Sequence, residues 1–326
     1  MIRSRITGTG AAVPEKVLTN ADLEKMVDTS DEWITARTGI KERRIAAGHE
    51  YTSTFATRAA ENALAMAGIG PEELDLIIVA TVTPDFPFPS TACLVQNNLK
   101  AAKATAYDIS AACSGFLYGL SLADMYIKTG AVHKALIIGA ETLSRIVDWT
   151  DRNTCCLFGD GAGAVVVEAR ADEPGILSTH VHSDGSHWEL LYQPGVGSRN
   201  PAVQKTLDER LVYISMQGNE IFKLAVRAME EVALEALAAN NLSTSDIDIF
   251  IPHQANRRII DAIGKRLGVD ADQMFINLER YGNTSSASIP IALDEANRGG
   301  RIMTGDRLLL DAFGGGLTWG AALIRW

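Results

Sequence analysis

Short apolar runs recur along the chain, with amphipathic stretches between them. A continuous apolar run suits a strand covered on both faces, and apolar positions at helical spacing suit a helix with one buried side. In the first half, residues 2–7, 74–81, 135–139 and 161–168, with Thr105–Ile109, read as strands. Residues 52–66 and 114–128, with Thr91–Leu99, read as helices, and Gly68 marks a stop. Asn20 is placed to cap a short helix carrying Leu23 and Met26. Thr29 and Glu32 have capping-box spacing, which predicts a further helix there. Pro84, Pro87 and Pro89 break the segment after the 74–81 run. Alternation of strand and helix predicts an α/β fold.

The second half repeats this plan. Helix Gly218–Ala239 precedes a strand at 247–251, a helix at 256–267, a strand at 275–277, a helix at 286–298 and strands at 307–311 and 320–325. LIIGA at 136–140 aligns with LLLDA at 308–312, an offset of 172; Gly163 aligns with Gly320, an offset of 157. The first half therefore carries 15 extra residues between those strands, holding Arg145, Trp149, Arg152 and the Cys155-Cys156 pair. An insertion in one copy of a duplicated scaffold is a usual place for function. The halves are expected to join near residues 171–175, giving units 1–174 and 175–326. Residues 192–209 show no period and are expected to form a long surface loop.

At 326 residues the chain can bury a large core. Its net charge of −10 argues against general nucleic-acid binding, and an acidic partner would need a local cluster of cations. Arg257, Arg258 and Lys265, with Lys223 and Arg227, offer such charges; a solvated helix face is the alternative. The first residues lack an apolar leader run and no run is long enough to span a bilayer, so a cytoplasmic protein without membrane association is expected. Four cysteines, at 93, 113, 155 and 156, lack metal or disulfide spacing, so no metal is expected. The glycine-rich stretches 8–13 and 159–163 lack the context of nucleotide loops and read as structural.

In DISAACSGF, residues 108–116, a strand ends, one cysteine follows and a helix begins. Cys113 reads as a thiolate lowered in pKa by helix N-terminal amides and open to acylation, or as a small packing residue. Cys93, Cys155 and Cys156 rate lower, the last two facing opposite ways if extended. His253 follows a strand stopped by Pro252, at the kind of edge where α/β sites form; a surface or capping histidine is the other reading. The remaining histidines read as loop or edge residues. Asn283 lies on a turn matching that of Cys113, with 113 mapping to 285, and either faces a shared cavity or caps a helix. Asp311-Ala312-Phe313-Gly314-Gly315-Gly316 either brings amides to a ligand or forms a tight hairpin. Trp33 and Arg37, four apart, either stack a purine and meet phosphate or make a surface cation–π pair.

Together these stretches resemble the thiolase-fold condensing enzymes, most closely the beta-ketoacyl-[acyl-carrier-protein] synthase III family of bacterial type II fatty-acid synthesis. The motifs are residues 20–26, TSDEWI (29–34) with RTGI (37–40), ACSGF (112–116), FGDGAGA (158–164), PHQAN (252–256), GNTS (282–285) and FGGG (313–316). The resemblance implies a thiolase-like fold in α-β-α-β-α layers and a catalytic triad of Cys113, His253 and Asn283. It implies acylation of the cysteine by a short acyl-CoA, usually acetyl-CoA. Malonyl-carrier protein then loses CO2, and its carbanion attacks the thioester. No cofactor is implied, since the CoA thioester is a substrate. The amides of Cys113 and Gly315 would hold the thioester oxyanion; a neutral His253 and Asn283 would donate to the enolate. Trp33 and Arg152 would sandwich the CoA adenine, Arg37 would meet phosphate, and Thr38, Gly218, Phe222 and Asn256 would line the pantetheine tunnel. Gln254, Ala255, Asn256, Arg257 and Arg258 match a docking segment for the acyl-carrier protein, with Arg258 as the main cation. Phe88 would reach across a homodimer to close the partner's acyl pocket and favour a short primer; Phe313 is assigned to the same pocket.

Relatives of other function differ at visible positions. Degradative thiolases use a second cysteine where this chain has Asp311-Ala312-Phe313, and elongating condensing enzymes carry a histidine in place of Asn283. A non-catalytic scaffold has no need of all three polar residues. A secondary-metabolism paralogue keeps every motif and is the main alternative. The 192–209 loop, near the expected tunnel mouth, bears on the acyl substrate.

Overall fold

The computed structural model describes residues 2–171 and 175–326. The run LIIVA is buried at every position, with Ile77 and Val79 in one core and Leu76 and Ile78 in another, as period-2 alternation in a central strand requires. It is one of five strands in a first sheet: β1 (Arg3–Ala12), β2 (Leu76–Ala80), β3 (Thr105–Ile109), β4 (Lys134–Thr142) and β5 (Asp160–Arg170), in spatial order β1-β5-β4-β2-β3. A second sheet holds β6 (Gly175–Ser183), β7 (Ile249–Pro252), β8 (Arg307–Gly314) and β9 (Thr318–Arg325), in order β7-β8-β9-β6. β2 pairs in parallel with β3 and β4, and β7 in parallel with β8; the remaining pairings are antiparallel. β6, β9, β8 and β7 thus take the places of β1, β5, β4 and β2, as the internal repeat predicts.

The fifth place of the second sheet is nearly vacant. Residues 275–277 form no strand; Phe250 and Met274 make one parallel bridge. The reason is a side chain: Gln254 accepts from Asn277 N at 3.0 Å and donates to Phe275 O at 3.3 Å, taking groups a ladder would use. Conversely, β6 was not expected. It is a polar, half-buried edge strand with no apolar run to announce it. The expected join near 171–175 falls largely on residues 172–174, outside the described residues.

Among the described residues, seven longer helices complete the layers: α1 (Asp31–Thr38), α2 (Thr52–Ala67), α3 (Thr91–Leu99), α4 (Gly115–Lys128), α5 (Gly218–Ala239), α6 (Arg257–Leu267) and α7 (Ser288–Arg298). α2 and α3 cover one face of the first sheet through Phe55, Ala59 and Val95. α4 and α7 lie between the sheets, where Phe116, Leu120, Ile289 and Leu293 meet Ile78, Ile137, Ile251 and Leu310. α5 and α6 cover the far side through Val226, Met229 and Ile263. The α-β-α-β-α order is therefore present. Two caps sit one residue from their expected places. Ser30, not Thr29, caps α1 by accepting from Trp33 N at 3.1 Å, and Thr19, not Asn20, caps the short helix Asn20–Leu23.

The insertion packs against Arg210 and Ile214, just beyond the 192–209 segment. Ile214 N donates to Ile146 O at 2.9 Å, and Arg210 Nε donates to Asp148 at 3.1 Å. The segment is not wholly irregular, since Tyr192 pairs with Ser215 and Gln204–Asp208 is helical. Cys155 ends the helix Arg152–Cys155 and Cys156 caps it, so this pair is buried in a helical turn rather than extended. Among the described residues no helix is long and apolar enough to cross a membrane.

Candidate active site

Two short turns of matching form carry the site. Ala112–Ser114 precedes α4 and Ser285–Ala287 precedes α7; the first residue of each has positive φ, +46° for Ala112 and +49° for Ser285. Ser286, not Ser285, is therefore the counterpart of Cys113. The second turn comes close to β4 because Gly139 leaves room: a Cβ there would lie 2.1 Å from Ser286 O. Asn283 precedes this turn. Its Oδ1 accepts from Ser285 N at 2.8 Å, a local turn bond, while Thr284 and Ala287 hold the cap positions of the two helical segments; the helix-cap reading is corrected, and Asn283 lines the cavity.

Cys113 is buried, and burial pushes its thiol up to about 12; the carboxyl of Glu141 adds to the rise and the Ser285 hydroxyl opposes it. The expected lowering by helix amides is corrected here, because desolvation outweighs the few amides of a short turn. His253 follows β7, with its backbone N donating to Asp311 O at 2.7 Å. Burial pushes its imidazole down to about 3, so it is neutral at physiological pH. Its Nδ1 lies 2.6 Å from Ser288 Oγ, which also accepts from Gln254 N at 3.3 Å. With the hydroxyl donating to Nδ1, the ring proton sits on Nε2, the tautomer in which Nε2 is a donor.

Cys113, His253, Asn283, Phe313 and Gly314 line one cavity of about 120 Å³. Cys113 also lines a second, mostly apolar cavity of about 280 Å³ with Val82, Leu143, Ile146, Leu191, Ile214 and Gly315. The triad cavity shares Gly218, Phe222 and Asn256 with a third, of about 810 Å³, which Trp33, Arg37, Thr38 and Arg258 also line. Cys113 stands where the first two meet.

Other expected residues divide. Arg37 and Arg152 both sit against the Trp33 ring, 4.6 and 5.1 Å from its centroid. A ring held between Trp33 and Arg152 needs about 7 Å, two stacking spacings, so Arg152 must withdraw from Trp33 to form a sandwich. Phe88 is 85% exposed and lines neither cavity that Cys113 lines. Phe313 stacks on Trp319, with centroids 6.4 Å apart. Gln254 is corrected as a docking residue: it is 1% exposed and its amide is spent on backbone groups. Ala255 lines the triad cavity, and Asn256 caps α6 by accepting from Arg258 N at 2.9 Å. Arg257 pairs with Asp261 at 2.7 Å, Lys223 with Glu220 at 2.9 Å and Arg227 with Glu231 at 2.8 Å. Arg258 lies over the Phe222 ring, 5.9 Å from its centroid.

Sequence reasoning missed Ser288, Ser285, Glu141 and the Leu191 and Ile214 walls. The run of small residues after Asn283 was a signal for the serines. Glu141 showed only as one acid ending an apolar run.

Family models described as 3-oxoacyl-[acyl-carrier-protein] synthase III, and as the C-terminal part of that enzyme, match residues 107–185 and 237–326. A beta-ketoacyl-[acyl-carrier-protein] synthase III from Caldanaerobacter subterraneus subsp. tengcongensis is 56% identical over 325 residues, covering 100% of this chain and 98% of its own. The crystal structure of 3-oxoacyl-[acyl-carrier-protein] synthase III from Aquifex aeolicus VF5 is 54% identical with a TM-score of 0.93, over 99% of this chain and 100% of that one. The priming beta-ketosynthase of the R1128 polyketide pathway is 35% identical with a TM-score of 0.92, over 99% and 96%.

Proposed function

The chain belongs to the beta-ketoacyl-[acyl-carrier-protein] synthase III family, and from that premise we propose that it condenses a short acyl-CoA, acetyl-CoA foremost, with malonyl-[acyl-carrier protein] to begin fatty-acid synthesis. One observation carries the reading: Cys113 stands between an apolar cavity and a cavity shared with His253 and Asn283, which continues into the groove of Trp33 and Arg37.

The acyl-CoA enters along that groove, its adenine on Trp33 once Arg152 withdraws and its phosphates at Arg37. The acyl chain points into the apolar cavity. Cys113 attacks the thioester carbonyl, whose oxyanion the Cys113 and Gly315 amides receive, and CoA leaves. Malonyl-carrier protein follows the same route, with Arg258 facing the acidic carrier. Loss of CO2 leaves an enolate oxygen, which His253 Nε2–H and Asn283 Nδ2 stabilise. A neutral imidazole suits this step, because a donor that is not a strong acid leaves the carbanion free to attack carbon. The product is a beta-ketoacyl-carrier protein.

The protein acts as a homodimer in this reading. β3 is an edge strand, and its Asp108 holds the start of α3 through Thr91 N and Ala92 N. The segment just before α3 exposes Phe86 and Phe88. Four free cysteines suit a reducing cytoplasm. Units 1–174 and 175–326 follow the two sheets.

The test is incubation with labelled acetyl-CoA and peptide mass spectrometry. Label on Cys113 is expected, and no label from any short acyl-CoA would refute the assignment. The size of the apolar cavity favours one second reading, a paralogue that takes longer or branched primers. A panel of acyl-CoA primers with malonyl-carrier protein separates the two.

A further inference from the structure

We infer that Arg43 is a positioning residue that sets where Asn283 stands in the triad cavity. The inference rests on the decarboxylation role given to Asn283 above. Arg43 lies in the small ribbon where Glu42–Arg44 pairs with Val17–Thr19, and it is fully buried. Its Nη1 donates to Leu18 O at 3.1 Å and to Asn20 Oδ1 at 2.9 Å, and its Nη2 to Cys156 O at 2.7 Å, while Nε has no partner. Among the described residues none of these partners is a carboxylate. Burial pulls the guanidinium down to about 10, so it keeps its charge at physiological pH.

Burying a cation without a counter-ion is costly, and an apolar side chain of similar bulk would fill the space without that cost. What only the guanidinium supplies is a rigid fork that reaches several oxygens at once. Here the fork joins segments far apart in the chain: the ribbon, the start of the short helix at Asn20, and the end of the insertion at Cys156.

Asn283 is the next link. From Cys156 the chain continues as Leu157-Phe158-Gly159, and this segment bridges to Asn283 in parallel. Asn283 N donates to Leu157 O at 2.8 Å, and Gly159 N donates to Asn283 O at 3.0 Å. Both peptide groups that flank the Asn283 Cα are therefore held by residues 157–159. The stem of Arg43 packs against the same place: a Cβ on Gly159 would lie 3.2 Å from Arg43 Cβ, and one on Gly282 would lie 3.4 Å from it. The far end of the turn has its own support, since Ser286 Oγ donates at 3.1 Å to Glu141, a buried carboxyl raised to about 7. Asn283 Oδ1 is committed to Ser285 N, so the place of its amide follows from its Cα, and that of the Cα from the 157–159 segment. A displacement of about 1 Å at such a group costs on the order of 100-fold in rate. Cys113 stands on the other turn, before α4, and has no bond to this segment.

The test is a double-mutant cycle of Arg43→Met and Asn283→Ala. It is read on CO2 release from malonyl-carrier protein and on single-turnover acylation at saturating acetyl-CoA. Arg43→Met should cut kcat for CO2 release about 100-fold with KM within about threefold, and slow acylation less than about tenfold. Beside Asn283→Ala the same substitution should add less than about threefold, because the group it positions is gone. Arg43→Lys keeps the stem and the charge but cannot reach Asn20 and Cys156 together, so it decides where Arg43→Met does not fold. It should lose about tenfold in CO2 release, and again little beside Asn283→Ala. Losses that multiply in the double variant, or equal losses in both half-reactions, overturn the positioning role. Coupling of Arg43 and Asn283 in CO2 release, with no label on Cys113 from any primer, would uphold it and refute the acyl-transfer reading.

Discussion

A Cβ placed on Gly314 would lie 2.6 Å from the backbone nitrogen of Cys113. Gly314 is pinned by its pairing with Thr318, and Cys113 by the turn that opens α4, so neither can yield. Gly314→Ala is expected to lose about 1–3 kcal/mol of stability by overpacking and to slow Cys113 acylation more than tenfold. Thermal unfolding and timed mass spectrometry of the acyl-cysteine check both.

Asn283→Ala removes the Nδ2 donor from the cavity and the acceptor of Ser285 N. Decarboxylation of malonyl-carrier protein should fall about 100- to 1,000-fold, the usual effect of one lost oxyanion donor. Cys113 acylation should stay within about tenfold of wild type. Release of labelled CO2, measured beside acyl-cysteine formation, separates the half-reactions. Equal loss in both would contradict the role given to Asn283.

Asp311 is fully buried, neither carboxyl oxygen has a hydrogen-bond partner, and burial holds it well above the usual carboxylate range. Below about pH 4 it is protonated in the folded and unfolded chain alike. Above that, the unfolded chain ionises first and stability falls as pH rises toward the folded pKa. Asp311→Asn should therefore gain at least about 1.4 kcal/mol at pH 8 and little at pH 4. Denaturant titrations at the two pH values measure the difference, and an equal effect at both would exclude this account.

Arg257 and Arg258 are neighbours with different commitments. Arg257 is neutralised by Asp261, whereas Arg258 lies over Phe222 at the mouth of the groove. Arg258→Glu should weaken acyl-carrier-protein binding about tenfold or more, and Arg257→Glu distinctly less. Surface plasmon resonance at two salt concentrations reads this directly. Equal losses would favour general charge over a specific contact.

Gln254 holds Pro252 O, Phe275 O and Asn277 N from a buried position. Gln254→Ala should cost about 1–3 kcal/mol, the penalty for stranding buried polar groups. Its affinity for carrier protein, measured on the folded fraction, should not change. A selective loss of that affinity would restore Gln254 to the docking surface.

Elements with a strong local period were legible in the sequence. Helices Thr91–Leu99 and Gly218–Ala239 and strand Thr105–Ile109 begin and end where their patterns do. Patterning acts over a few residues, so it survives without knowledge of the fold. Strand β6 was not legible, because a polar edge strand depends on the neighbour that pairs with it. The failed strand at 275–277 has the same cause in reverse, a distant glutamine claiming its backbone.

By itself the sequence determined the α/β alternation, the duplication, and the residue types at each strand-to-helix turn, through which Cys113, His253 and Asn283 stood out. Tertiary structure alone decided their chemical states. A thiol pushed up, an imidazole pushed down and a carboxyl near 7 are consequences of burial by elements far apart in the chain. Desolvation is a sum over everything packed around a group, and no local pattern encodes that sum.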